Sequence, residues 1–433
     1  MKNVRIPRLL GWLLGVKVLT LSFIVAGTWI WNDFDEGQHA ATVACWFNGP
    51  ARWPTTSATA TVARHFTTWD ASHFLYLSEC GYLGGLKSCA FYPLWPFLLR
   101  SCSVFTGGSH LLAGLVLTNA LSLAAFCLFY SLVRERWNGP VAKWALVFLI
   151  AFPGSLFFLF LYSESVFIFL VIGLWYGLEK RRYGVAAVSA ALLPMTRAVG
   201  AFAVLPIAWH ALSVAPPRWL RLHERGRQVG AGAGSVKGSW LELTVGRDSE
   251  KSRGTAARGA APSAPWLLLA APLMGWGCYL ALMWHWTGNP LEGFDAQKHW
   301  RVHSVWNLVD VPKFVVGFFA VTQWHGFTGS VLDRCMFVLL IYTLPVLCRL
   351  DKSLLVWTYW LGILPAMSGT FTSYTRFACC AFPIFIALGA FLSPEKANRS
   401  SKITTGLRWG LLLLFAVLHV LLVWRFVNFR WAG

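Results

Sequence analysis

Apolar residues in this chain come in long unbroken runs, not at the alternating or three-and-four spacing of a water-soluble fold. A helix needs roughly 20 apolar residues to cross a hydrocarbon layer. Stretches 9–31, 111–133, 141–161, 265–286, 329–349 and 406–426 have that length, while 165–179, 183–195, 198–213, 353–368 and 377–393 are shorter. Lipid offers no partner to a bare backbone N–H or C=O, so each run is expected to be helical. The pattern predicts an all-α polytopic membrane protein, a single domain over residues 1–433 with about eleven transmembrane helices. Pro153, Pro194 and Pro206 are expected to break or tilt the shorter ones. The first run is long for a signal peptide and ends without a small-residue cleavage site, so it reads as an uncleaved first helix.

The polar segments between the runs are of two kinds. One kind is basic: Lys2, Arg5 and Arg8; Arg134 and Arg136; Lys180, Arg181 and Arg182; Arg349 with Lys352; Lys396, Arg399 and Lys402. With the helices above, all of these fall on one side, and the positive-inside rule makes that side the cytoplasm. The longest polar loop, 214–264, shares it. Rich in Gly, Ser, Ala, Arg and Pro, it reads as a disordered basic loop, or alternatively as an anchor to anionic lipid. The sequon Asn398-Arg399-Ser400 falls there too. The other kind occupies the opposite side: 32–110, the turn at Ser163–Glu164, 194–198, 287–328 and 369–376. These segments mix Trp, His, Gln, Asn, Arg, Asp and Tyr, and chemistry is expected among them.

Composition narrows the class. Of 433 residues, 56% are hydrophobic and only 13% charged, against about 25% charged in a soluble domain. The net charge of +19 follows from the basic cytoplasmic segments and needs no nucleic acid as partner. No GxGxxG after a strand, Walker loop or HExxH is present, which excludes dinucleotide, P-loop and zincin readings. The ten cysteines include no CxxC pair, which argues against zinc. Cys127, Cys278, Cys348, Cys379 and Cys380 lie in apolar runs as small hydrophobes, whereas Cys80 and Cys89 share a polar loop and would be able to bridge in an oxidising space. His285, His299 and His303 include an i,i+4 pair, but no carboxylate completes a metal set, and none is expected.

A few polar residues need a reason in so apolar a chain. In "FTTWDASHFLYLSECGY", residues 66–82, Asp70 either caps a helix or, poorly hydrated beside aromatics, serves as a general base. His73 would share its face at helical spacing, and Glu79 has no evident role. Glu164, between two apolar runs, favours a helix start after a Ser163 cap or takes part in chemistry. Arg197 and Arg376 fall on the same side. They either converge on an anionic phosphate or pair with Glu164 and Asp70. In residues 285–306, Phe294, Gln297, Lys298, Trp300 and Arg301 repeat at three and four, as in a surface helix or a lid over a polar pocket.

These residues together bear a resemblance. Trp69-Asp70-Ala71-x-His73-Phe74, then Gly81-Tyr82, then Ala90-Phe91-Tyr92-Pro93-Leu94-x-Pro96 resembles the first-loop pattern of the GPI mannosyltransferase II, or PIG-V-like, family. Tyr162-Ser163-Glu164-Ser165, Thr196-Arg197-x-x-Gly200, Thr287-Gly288-Asn289-Pro290 with Gln297 and Trp300, Arg376-Phe377 before Phe382-Pro383, and the tail "FVNFRWAG" follow in the family's order. Val199 stands where the family often has Asn, and loop 214–264 maps onto no family feature.

The resemblance implies a GT-C fold, with the active site on the lumenal or extracytoplasmic face. It implies a polyprenyl-phosphate mannose donor, dolichol-linked in eukaryotes, and a lipid-linked glycan acceptor. In the eukaryotic members that acceptor is a GPI precursor receiving its second mannose. The membrane would be the endoplasmic reticulum in a eukaryote or the plasma membrane in a bacterium, and an accessory membrane subunit assists some members. Asp70 would be the base of an inverting transfer. Trp69 and His73 would wall the sugar site, and Glu164, Arg197, Gln297, Trp300 and Arg376 would bind substrate. Apart from the lipid-linked co-substrate, no cofactor is implied. The rival reading is a transporter or flippase of a lipid-linked substrate; the chain shows no paired internal repeat of the kind such proteins often carry.

Overall fold

The computed structural model describes residues 6–47, 62–216, 264–300, 305–367, 371–393 and 402–433. Each apolar run is helical. Among the described residues there is no β-strand, only an isolated bridge between Gln323 and Ser330. Five helices are long and apolar enough to cross a membrane: Ile6–Ile30, His110–Arg136, Ala264–Thr287, Val331–Leu350 and Lys402–Val427. The others are shorter, among them Gly139–Ala151, Glu164–Glu179, Tyr183–Leu192, Val204–Val214 and Phe382–Leu392. Proline sets several of these limits. The run 141–161 leaves the α-helix at Ala151, two residues before Pro153, and continues as a 3-10 stretch to Phe158. The α-helix from Tyr183 likewise stops at Leu192, ahead of Pro194.

The most buried helices are short ones. Glu164–Glu179 and Phe382–Leu392 are buried almost throughout and form the middle of the bundle. Ile6–Ile30 and Lys402–Val427 lie on its outside, with Phe23, Trp29, Leu413 and Val420 exposed. A short apolar helix enclosed by protein has no bilayer thickness to match, whereas a peripheral helix does.

The break after Ala151 frees backbone carbonyls inside an apolar bundle, where an unpaired carbonyl is costly. Side chains from two other helices meet them. Lys17 Nζ donates to Phe158 O at 2.8 Å and to Asn119 Oδ1 at 3.0 Å. Asn119 Nδ2 donates to Leu159 O, and Ser122 Oγ to Phe158 O, each at 3.2 Å. This gives Lys17, the buried cation of the first long helix, a structural reason.

The bundle has two chemically distinct ends. At one, Arg136 pairs with Glu179 and Asp351, and Lys180 with Glu135, tying three helix ends together. At the other, Arg64 pairs with Glu36 and Arg430 with Asp33. The basic clusters around 134–136, 180–182 and 349–352 thus share one end. Segment 32–110 builds the other with the helices Glu36–Trp46, Asp70–Cys80 and Leu94–Ser103. Loop 214–264, apart from its edges, and the sequon with Lys396 and Arg399 lie outside the described residues.

Candidate active site

The helix Asp70–Cys80 opens on an unusual backbone. Trp69, just before it, has φ +54°, a region that favours glycine. Asp70 is the first residue inside the helix, and no side-chain cap bond forms there. Of the two readings of Asp70, the cap is therefore not the one the structure adopts. Its backbone N–H donates to Tyr162 Oη at 3.2 Å, and its Oδ2 accepts from Arg376 Nη1 at 2.5 Å.

Arg376 continues the chain of charges. Its Nε donates to Glu164 Oε1, and that same oxygen accepts from Arg197 Nη2. Arg197 Nε reaches Ser163 Oγ at 3.3 Å, so the Ser163 hydroxyl serves the arginine and makes no cap bond. The order is Asp70, Arg376, Glu164, Arg197, with signs alternating. Glu164 is fully buried, whereas the Asp70 side chain keeps 18% of its surface. A buried carboxylate is tolerable only when paired, and Glu164 holds two guanidinium groups. The planar guanidinium of Arg376 also lies 4.5 Å from the Tyr162 ring centre and 5.2 Å from that of Phe157.

Local structure presents each member of this set. Glu164 begins a helix right after the 3-10 break and the turn that follows it. Arg197 has extended backbone between two 3-10 pieces. Gly200 lets the second piece close onto the first, since a Cβ there would stand 2.2 Å from Leu193 O. Arg376 lies on the short helix Tyr374–Ala378, entered through Phe371 at φ +59° and Ser373 at φ +58°.

Trp69 borders this cluster. Its ring stacks on Phe429, with centroids 4.5 Å apart and planes 2° off parallel, and its indole donates to Arg430 O. Phe429 is itself at φ +59°. His73, Gln297 and Trp300 gather elsewhere, around the loop 83–91. His73 is fully buried, with Nδ1 2.8 Å from Ser88 Oγ and its ring stacked on Phe91. Gln297 donates to Ala90 O at 3.1 Å and Trp300 to Lys87 O at 3.2 Å. Residues 287–300 are therefore clamped onto the first loop, and Glu292 adds a bond from Gly85 N–H. Asp70 and His73 point to different partners despite their spacing. Arg301 and His303 lie outside the described residues.

Burial, with a smaller push from Lys87, drives the His73 imidazole down to about 3, so it is neutral at physiological pH. Burial pushes the Cys89 thiol up to about 12, helped by Glu292. Cys80 and Cys89 are both free thiols, and Cys89 donates to Leu83 O. Among the described residues no three His, Cys, Asp or Glu side chains come together as a metal set. What the charged string offers is a part-exposed carboxylate beside two anchored cations. That combination suits proton removal next to a site where an anion is held.

The sequence reading missed several participants. In the sequence Tyr162 stands only as part of a motif, yet its hydroxyl accepts from Asp70 N–H and its ring lies against Arg376. Asp333 and His325, buried behind Arg376, were passed over. An acid in the first turn of an apolar run reads locally as a favourable helix start, and nothing nearby in the sequence points to its partner.

Comparison with known proteins adds one observation. Residues 38–228 match the family model Mannosyltransferase (PIG-V). The resemblance read from the sequence is borne out over this segment, and the match supports a glycosyltransferase. The PIG-V segment takes in Asp70, Glu164 and Arg197; Gln297, Trp300 and Arg376 lie beyond it. No curated protein matches the chain. Among solved structures, the oligosaccharyltransferase AglB from Archaeoglobus fulgidus, in complex with an inhibitory peptide and a dolichol-phosphate, is 13% identical. It covers 79% of this chain and 48% of its own, with a TM-score of 0.38. The same enzyme tethered to an acceptor peptide is again 13% identical, over 98% of this chain and 55% of that one, with a TM-score of 0.41. The chain thus spans about half the length of these proteins.

Proposed function

We propose that the chain is a GT-C mannosyltransferase using a polyprenyl-phosphate mannose donor, with Asp70 as general base. The observation that carries the reading is the pairing of Asp70, the most exposed of the four charged groups, with an arginine that Glu164 anchors from behind. The family match to mannosyltransferases supports the class.

In this reaction an acceptor hydroxyl attacks C1 of mannose as the bond from C1 to the phosphate oxygen breaks. Asp70 takes the hydroxyl proton, and attack from the face opposite the leaving group inverts the anomeric centre. The phosphate departs as an anion, so it needs positive charge and no general acid. Arg376 and Arg197 supply that charge from positions fixed in advance, which is where electrostatic catalysis gains most. Glu164 orients both arginines, and Trp69 forms an aromatic wall beside Asp70. The acceptor is a lipid-linked glycan, of the kind that receives the second mannose in GPI-anchor assembly. The cluster lies at the end opposite the basic helix termini, which supports an extracytoplasmic or lumenal site.

The test uses the full chain in membranes or detergent, with labelled mannose on polyprenyl phosphate. Asp70→Asn and Asp70→Ala are expected to lose transfer by about a hundredfold or more while the protein stays folded. Wild-type transfer by both variants would sink the assignment of the base. Movement of the labelled lipid across a bilayer without transfer would favour the flippase reading instead.

A further inference from the structure

Behind Arg376 lies a second buried polar group that the proposed reaction does not use. Asp333, in the first turn of the helix Val331–Leu350, has no exposure. Ser330 caps this helix by accepting from Asp333 N at 3.2 Å. An acid at this position of a capping box would reach back to the cap residue's own N–H. Asp333 does not do so: its Oδ1 accepts from the backbone N–H of Thr375 at 2.6 Å. Its Oδ2 has no hydrogen-bond partner and lies 3.9 Å from His325 Nδ1.

Thr375 immediately precedes Arg376, and both peptide planes flanking it are constrained. Asp333 holds the N–H. The carbonyl packs against Gly154, where a Cβ would stand 2.1 Å from Thr375 O. The approach to this point is strained, since Phe371 and Ser373 both have positive φ without being glycine. Such conformations persist only when the surroundings over-determine them. Asp333 is itself firmly placed. The next residue, Arg334, donates to the carbonyls of Gly317, Phe318, Ala320 and Ser330.

We infer that Asp333 is a positioning residue for Arg376: by holding the Thr375 N–H it fixes the strained turn that presents one guanidinium to Asp70 and Glu164 together. The inference rests on the mannosyl-transfer reading for its kinetic consequence, and on the geometry alone for its structural one. Asp333 touches neither substrate nor reacting atoms, so it acts only through Arg376.

The experiment compares Asp333→Asn, Asp333→Ala and Gly154→Ala in the full-length protein, each alone and combined with Arg376→Ala. Asp333→Asn keeps an oxygen that accepts from Thr375, and most of the rate is expected to survive. Asp333→Ala is expected to lower kcat per folded molecule roughly a hundredfold, as a displacement of about 1 Å can do, and to leave the acceptor KM nearly unchanged. Should Asp333→Ala fail to fold, Gly154→Ala disturbs the same peptide from its other side and should reproduce the kcat loss. On the Arg376→Ala background neither change should cost anything further. Full kcat in Asp333→Ala or Gly154→Ala, or an equal loss on that background, overturns the inference. If wild-type protein transfers no mannose, the mannosyl-transfer reading falls, and a structure of Asp333→Ala still decides the positioning. Arg376 displaced from Asp70 or Glu164 supports it, and Arg376 unmoved overturns it.

Discussion

Glu164 carries two guanidinium groups on one carboxylate oxygen and has no contact with solvent. Removing it leaves Arg197 on the Ser163 hydroxyl and Arg376 on Asp70 alone. Breaking a buried ion pair from one side costs about 3–5 kcal/mol. Glu164→Leu is therefore expected to lower the thermal unfolding midpoint of the detergent-purified protein sharply, and an unchanged midpoint would contradict the shared pairing. Single residues show how far local sequence reaches. Glu164, Arg197 and Arg376 were legible because a charge in an apolar chain demands a partner. Asp70 was ambiguous, since a cap and a base both put an acid at a helix start. The partner that local sequence does not reveal is Arg376, 306 positions away along the chain. Asp333 was invisible for the same reason: its role lies in Thr375, not in its neighbours.

The long helices were legible, because lipid leaves the backbone no alternative to internal hydrogen bonds, but the expected run 141–161 keeps its α-helix only to Ala151 and 198–213 begins its own only at Val204. Which helices have the length to cross was not legible. Pro153 announces a break, but not that the freed carbonyls would be met from the helices Ile6–Ile30 and His110–Arg136. Phe158 O has two donors, Lys17 and Ser122. Lys17→Met alone is expected to be nearly neutral for stability, because one donor remains and an apolar side chain suits the site. Adding Ser122→Ala leaves the carbonyl bare. The double variant should then lose more than the two single ones together, by about 1–3 kcal/mol. Strict additivity of the unfolding midpoints would show that the carbonyl is not shared in this way.

At the scale of the molecule, one end collects several imidazoles that are buried or half-buried. Burial lowers His39, His65, His73 and His325 from their ordinary value, and burial is the largest cause for each. A histidine depressed in the folded state favours folding above its unfolded value near 6.5, and that favour fades as pH falls toward the folded value. Stability is thus expected to drop as pH falls below about 6.5, first at this end. Hydrogen exchange near residues 62–91 should accelerate before exchange in the buried helix Glu164–Glu179. Uniform acceleration would tell against it. The docking of residues 287–300 onto the first loop, which protects His73, was only half readable. Periodicity marked an amphipathic segment but did not say whether water, lipid or another loop would meet its apolar side.

The alternation of Asp70, Arg376, Glu164 and Arg197 reaches further than the reaction. Two acids and two bases cancel, and the field of a neutral string fades faster with distance than that of a lone charge. Such a site draws no anion from afar and senses one only at contact. Capture of the proposed lipid-phosphate donor would then depend on its sideways diffusion within the bilayer. Added salt, which shortens the roughly 8–10 Å range of exposed charges, should hardly slow its arrival.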